Sequence, residues 1–458
     1  MKTLIKNPWI VTMNAGYDII RGGYVLIEGD TIREVGGGAQ RMEELEREAE
    51  TVLEAGDKIL LPGLVNAHSH MFQTFMRGLA DDKHLYQWLS EEIWPFSALM
   101  SEEDFYYAGL IASLENLKTG ATGVIDQHYI YTSLNNGDKI FQAMADAGIR
   151  GSMCRCFANI VYTERFREKD EVILEDIRRL HDAWHGKDGR LQLSMGPINS
   201  WSVSPELFRA TKELARKLGL KYQVHTSEDE DVVEKTAKMY DGMRNVELFD
   251  SLGLLDEDTQ LVHSVWLDDS ELETVRTRGA QVIHCPVANM YLASGVARVP
   301  EMRKMGIPVA LATDGPGSNN AQDMLGTLKY TACLHKVHNL DPQILYPRDV
   351  LEMATHGGAL ALGMEDRLGV VEAGRKADLI LVDWKKPHIA PVHKPDSALV
   401  YNANGNDVNT VFVNGEMVVQ NGRRDGAGGR VPEADRVHQE QDVTCPPRPP
   451  GRKTKNLR

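Results

Sequence analysis

No stretch of this 458-residue chain approaches the roughly 18 uninterrupted apolar residues of a membrane span, and the opening MKTLIKNPWIVTMNAG lacks the apolar run of an export signal. No membrane partner is therefore expected, and a cytoplasmic location follows as the expectation. Cysteine is scarce. Cys154, Cys156, Cys285, Cys333 and Cys445 are too few and too scattered for a disulfide framework, and Cys154-Arg155-Cys156 lacks the spacing of a zinc knuckle. Basic residues are outnumbered, 51 Lys and Arg against 66 Asp and Glu, and the net charge of −15 argues against a nucleic acid partner. There is no glycine-rich phosphate loop, which leaves nicotinamide and nucleoside triphosphate chemistry without sequence support. What the chain does have is ordinary globular content, 42% hydrophobic and 26% charged, enough to bury a large core.

The order of patterns along the chain gives the organisation. The first sixty residues alternate short β-type runs with turn signals, at 3–13, 23–28 and 31–35. From residue 61 to 363 apolar β runs alternate with longer helical stretches, the mark of a parallel sheet built from βα units. Eight such runs are found, at 65–70, 122–126, 150–155, 191–196, 221–225, 260–263, 281–285 and 308–314. Eight units in about 300 residues predict a (β/α)₈ TIM barrel of class α/β. The β pattern returns at 377–383 and 410–419, so residues 1–60 plus 364–424 are expected to form one composite β-sandwich beside a barrel of residues 61–363. From residue 425 to 458 the chain is rich in Gly, Pro and basic residues and is expected to be a disordered tail.

Residues at the C-terminal ends of barrel strands converge on one mouth, so ligands far apart in sequence can surround one ion. His68 and His70 end the first strand, two residues apart and therefore on one face. His225 ends the fifth and Asp314 the eighth. Three imidazoles and one carboxylate suit one divalent ion, Zn²⁺ first and Fe²⁺ second, with room for a water. The fourth strand ends in Ser194-Met195-Gly196-Pro197 and offers no lysine to bridge a second ion. Glu228 follows His225 by three residues, near that water, where a carboxylic acid can shuttle protons. His263 closes strand six, either as a catalytic group or as a buried hydrogen-bonded histidine. Around the ring-binding space stand Gln73, Trp88, His128 and Ser318, each with an alternative role in packing or turn formation. His335 lies on a helical segment and is expected to be solvated.

These residues resemble the amidohydrolase superfamily. The segments LPGLVNAHSH, HTSE, LVHSV, ATDGPGSNN and LGVVEAGRKADLILVDW occur in the required order, and together they are similar to the branch holding cytosine, guanine and adenosylhomocysteine deaminases and triazine hydrolases. The resemblance spans residues 1–422. It implies His68, His70, His225 and Asp314 as metal ligands, and Glu228, His263 and Asp314 as the catalytic groups. His68-Ser69-His70-Met71-Phe72-Gln73 and the stretch 292–302 look most like triazine hydrolases, including atrazine chlorohydrolase and melamine deaminase. Adenosylhomocysteine deaminases place a ribose-binding Glu where this chain has Ser97, and a His where it has Ile198. The expectation is therefore a hydrolytic deaminase of a free nitrogen heteroaromatic, such as an oxopurine, pterin or triazine. Alternatives are an adenosylhomocysteine or methylthioadenosine deaminase, a triazine chloro- or alkylamino-hydrolase, and a catalytically silent metal-binding barrel. A homo-oligomer, dimer or higher, is expected.

Overall fold

The computed structural model describes residues 1–423; the expected tail at 425–458 lies outside them. Eight parallel strands run in sequence order through one sheet: Leu64–Ser69, Ala121–His128, Arg150–Phe157, Leu191–Pro197, Tyr222–Thr226, Thr259–His263, Gln281–His284 and Val309–Leu311. The first and last meet where Asp314 N–H donates to the His68 carbonyl at 3.1 Å, which brings the sheet close to a closed barrel. Strands one, two and three are buried along their whole length, with no polar alternation. That is the pattern of a parallel sheet covered on both faces.

The surrounding helices carry their own start and stop signals. Ser101 and Asp104 form a reciprocal cap at the start of Glu102–Lys118, and Asp268 with Glu271 does the same for Asp269–Arg278. Gly219 ends the helix Pro205–Leu218 in the left-handed region at φ 66°, a conformation that costs glycine nothing.

Both chain ends build the second layer. Leu379–Asp383 pairs antiparallel with Lys58–Pro62 at the centre of a six-stranded sheet, whose other members are Trp9–Val11, Ile19–Arg21, Val408–Val413 and Glu416–Val419. A four-stranded sheet of Lys2–Lys6, Tyr24–Glu28, Thr31–Gly36 and Thr51–Glu54 accompanies it. Ile5, Val25, Leu60, Leu379 and Phe412 share the apolar core of this module. The helix Ala39–Glu48, which the β pattern of the first sixty residues does not reveal, sets Met42 and Leu45 on Leu4, Tyr24 and Leu26. Arg150, from the third barrel strand, is buried and pairs with Asp378 at 2.8 Å, tying the barrel to the returning chain end.

Candidate active site

The strand ends bring His68, His70, His225 and Asp314 together, and the hydrogen bonds behind the rings decide what they offer. Nδ1–H of His68 donates to Gln223 Oε1 at 2.7 Å, that of His70 to the Gln127 carbonyl at 2.7 Å, and that of His225 to the Ile198 carbonyl at 2.6 Å. Gln223 is itself fixed, because its amide NH₂ donates to Ala67 O and Gln260 Oε1. Each Nδ1 faces an acceptor and therefore carries the ring proton, so each Nε2 is a bare lone pair. Burial pushes the His68 and His225 pKa values down, which keeps both rings neutral.

Those lone pairs converge. The ligand atoms of His68, His70 and His225 lie within 4.8 Å of one another. His225 Nε2 is 3.3 Å from His70 Nε2, and Asp314 Oδ1 is 3.3 Å from His68 Nε2 and 3.2 Å from His70 Nε2. Three bare nitrogens and a carboxylate repel at such distances unless a cation sits among them. Two nitrogens held about 2.0–2.1 Å from one ion at a tetrahedral angle stand about 3.3–3.4 Å apart, so the spacing fits a small divalent ion.

Backbone strain concentrates here. Ser227, His263, Ser264 and Asp314 all sit at positive φ, 44°, 67°, 52° and 63°. Non-glycine residues in that region cost about 1–3 kcal/mol each and persist where a site demands them. At Asp314 the turn aims the carboxylate inward; Gly315 N–H donates to its Oδ1 at 2.7 Å and the Ser318 hydroxyl to its Oδ2 at 2.8 Å.

Glu228 is buried beside this cluster, its Oε2 3.7 Å from His263 Nε2. Burial, followed by the charge of Asp314, pushes its pKa well above the carboxylate range, so it holds a proton at neutral pH. His263 has the opposite tautomer from the other three rings. Asn289 donates to its Nδ1 at 3.2 Å, which leaves the proton on Nε2, facing Glu228. Burial lowers the His263 pKa to about 3, so the ring is a neutral donor.

The cavity above these groups is walled by Leu85, Trp88, Tyr129, Tyr162, Ile198 and Trp201, with Ser318 at its polar end. Trp88 and Ser318 thus reach it. Gln73 and His128 do not. The Gln73 amide is consumed within the protein, donating to the Tyr129 hydroxyl at 2.9 Å and accepting from Gly317 N–H at 3.1 Å. His128 points into the helix layer, edge-on to Phe72, Phe105 and Tyr131, because it shares the outward face of strand two with Asp126. Ser97 is buried and does not line the cavity either, whereas Ile198 does. Sequence reasoning missed Gln223 and Asn289. Gln223, two residues before His225 on the same strand face, was open to discovery by that spacing; Asn289 carried no such signal.

Among the described residues no helix is long and apolar enough to cross a membrane. A profile of the amidohydrolase family matches residues 59–418. The chain is 37% identical over 406 residues to a 5′-deoxyadenosine deaminase of Methanopyrus kandleri, covering 88% of this chain and 91% of that one. It is 38% identical over 424 residues to a 5-methylthioadenosine/S-adenosylhomocysteine deaminase of Moorella thermoacetica, covering 92% and 95%. Among solved structures, an adenosine deaminase from Xanthomonas campestris with bound zinc superposes with a TM-score of 0.86 at 28% identity, covering 93% of this chain and 94% of that one. Atrazine chlorohydrolase TrzN from Arthrobacter aurescens, complexed with zinc, gives 0.87 at 26% identity, covering 93% and 97%.

Proposed function

From the premise that the chain belongs to the amidohydrolase family and hydrolyses C–N bonds of cyclic amidines, we propose that it removes the 6-amino group of an adenine nucleoside of the 5′-deoxyadenosine and methylthioadenosine class. The observation that carries this reading is the shared adenosine core in the names of two sets of relatives, each matched over about nine tenths of this chain. The apolar wall of Leu85, Leu89, Ile198, Val232 and Leu292 supports it, since a 5′ position without a hydroxyl needs no polar partner. The free-ring expectation rested on Gln73, Ser97 and Ile198, and only Ile198 lines the cavity.

In this reading His68, His70, His225 and Asp314 hold one divalent ion, Zn²⁺ or Fe²⁺. When bound, such an ion makes water acidic enough to act as a nucleophile near neutral pH. Asp314, held by the Gly315 and Ser318 donors, accepts a proton from the attacking water. Glu228 gives its proton to the ring nitrogen beside the amine-bearing carbon, which makes that carbon electrophilic, and the returning proton lets the amine leave as ammonia. His263 Nε2–H donates to the oxygen that gathers charge at the attacked carbon. Asn289 keeps that donor in place.

Ammonia release from 5′-deoxyadenosine, methylthioadenosine, adenosine, guanine, isoxanthopterin and melamine tests the substrate. The best nucleoside should exceed the best free ring in kcat/KM by at least about tenfold, a gap of roughly 1.4 kcal/mol in transition-state binding. A free ring turned over faster than every nucleoside would reverse the assignment.

A further inference from the structure

Lys235 is a cation without a counter-ion at the rim of the proposed site. The helix Glu230–Met239 starts directly after Glu228 and Asp229. Val232, on its first turn, lines the cavity, and Lys235 follows on the same face one turn later. The Lys235 ammonium lies 3.5 Å from the ring centroid of Trp201 and 4.5 Å from that of Tyr86, and it donates to the Tyr86 hydroxyl. Trp201 is itself a cavity wall, and Leu85, the neighbour of Tyr86, is another. Lys235 makes no ion pair with any carboxylate among the described residues, unlike Lys212, which pairs with Asp256, or Lys238 on the same helix, which pairs with Glu234. Partial burial alone lowers its pKa, to about 8, with no acidic neighbour raising it.

Two aromatic faces orient the ammonium but do not neutralise it. A half-buried cation so placed gains most from an anion that arrives through the cavity mouth. We infer that Lys235, braced by Trp201 and Tyr86, forms a subsite for an anionic group at the far end of the substrate's 5′ substituent. The inference rests on the adenine nucleoside reading above and narrows it: substrates ending in a carboxylate or phosphate are preferred over those ending in a bare methyl.

The readout is a ratio, kcat/KM for an anion-ended adenine nucleoside over kcat/KM for neutral 5′-deoxyadenosine. Adenosylhomocysteine supplies the carboxylate arm and adenosine 5′-phosphate the phosphate arm. In Lys235→Met the ratio should fall about tenfold or more for whichever arm the subsite serves, while Lys235→Arg holds it within about threefold, as expected of a charged hydrogen bond. Added salt should lower the wild-type ratio and leave that of Lys235→Met unmoved. A wild type active on 5′-deoxyadenosine whose ratio stays unchanged in Lys235→Met for both arms overturns the subsite alone. A wild type inert on every adenine nucleoside overturns the substrate reading and the subsite with it.

Discussion

Glu228→Gln should lose turnover by a factor of about 10²–10⁴ while its ion content stays that of the wild type. The amide keeps the shape of the carboxyl group and fills the same buried space beside His263, but it cannot pass a proton to the ring nitrogen and take it back. Burial and the charge of Asp314 keep Glu228 protonated before substrate arrives, so the group starts in the form that the first proton transfer needs. The loss should appear in kcat and in kcat/KM together, because the proton transfer belongs to the transition state and not to binding. A variant retaining more than about a tenth of wild-type kcat would exclude Glu228 as the proton carrier.

The double substitution His68→Ala, His70→Ala should abolish both metal content and activity. Wild-type protein is expected to carry about one equivalent of Zn²⁺ or Fe²⁺ per chain, and the variant close to none, since it leaves only one imidazole and one carboxylate of a four-ligand set. Stability should respond in the opposite direction from ordinary core mutations. With no ion bound, the bare nitrogens of His70 and His225 at 3.3 Å repel across the cluster, and removing two of the three rings relieves that repulsion. Chelator treatment of the wild type should therefore lower its melting temperature and leave the double variant's unchanged. Two equivalents of metal in the wild type, or full occupancy in the variant, would remove this ligand assignment.

The barrel was legible because its strands are short apolar runs at regular spacing, and all eight lie where those runs stand. The last one shows the limit: the apolar pattern runs through 308–314, yet the regular strand is Val309–Leu311, because the chain must leave the ladder before Asp314 can turn to φ 63°. The metal-ligating set was legible for a geometric reason, since strand ends of a barrel share a mouth. Substrate contacts were not. Whether a residue near the mouth faces the cavity or the helix layer depends on side-chain direction at the strand end and on partners far away in sequence. Gln73 is claimed by Tyr129 and Gly317, and His128 by Phe72 and Phe105, while Trp88 donates to Gly317 O at 2.9 Å and still presents its ring to the cavity. His335 misled for the same reason. Its helix reads as a surface element, but the ring is buried against His284, Nε2 to Nε2 at 3.1 Å.

The central claim is hydrolytic attack at the amine-bearing ring carbon of an adenine nucleoside. Its most direct test is a reaction of 5′-deoxyadenosine in ¹⁸O-labelled water, with ammonia counted and the product weighed by mass spectrometry. The account predicts one ammonia released for each hypoxanthine nucleoside formed, with a single ¹⁸O in the base and the glycosidic bond intact. Release of free adenine, or a deaminated product without the label, would contradict it.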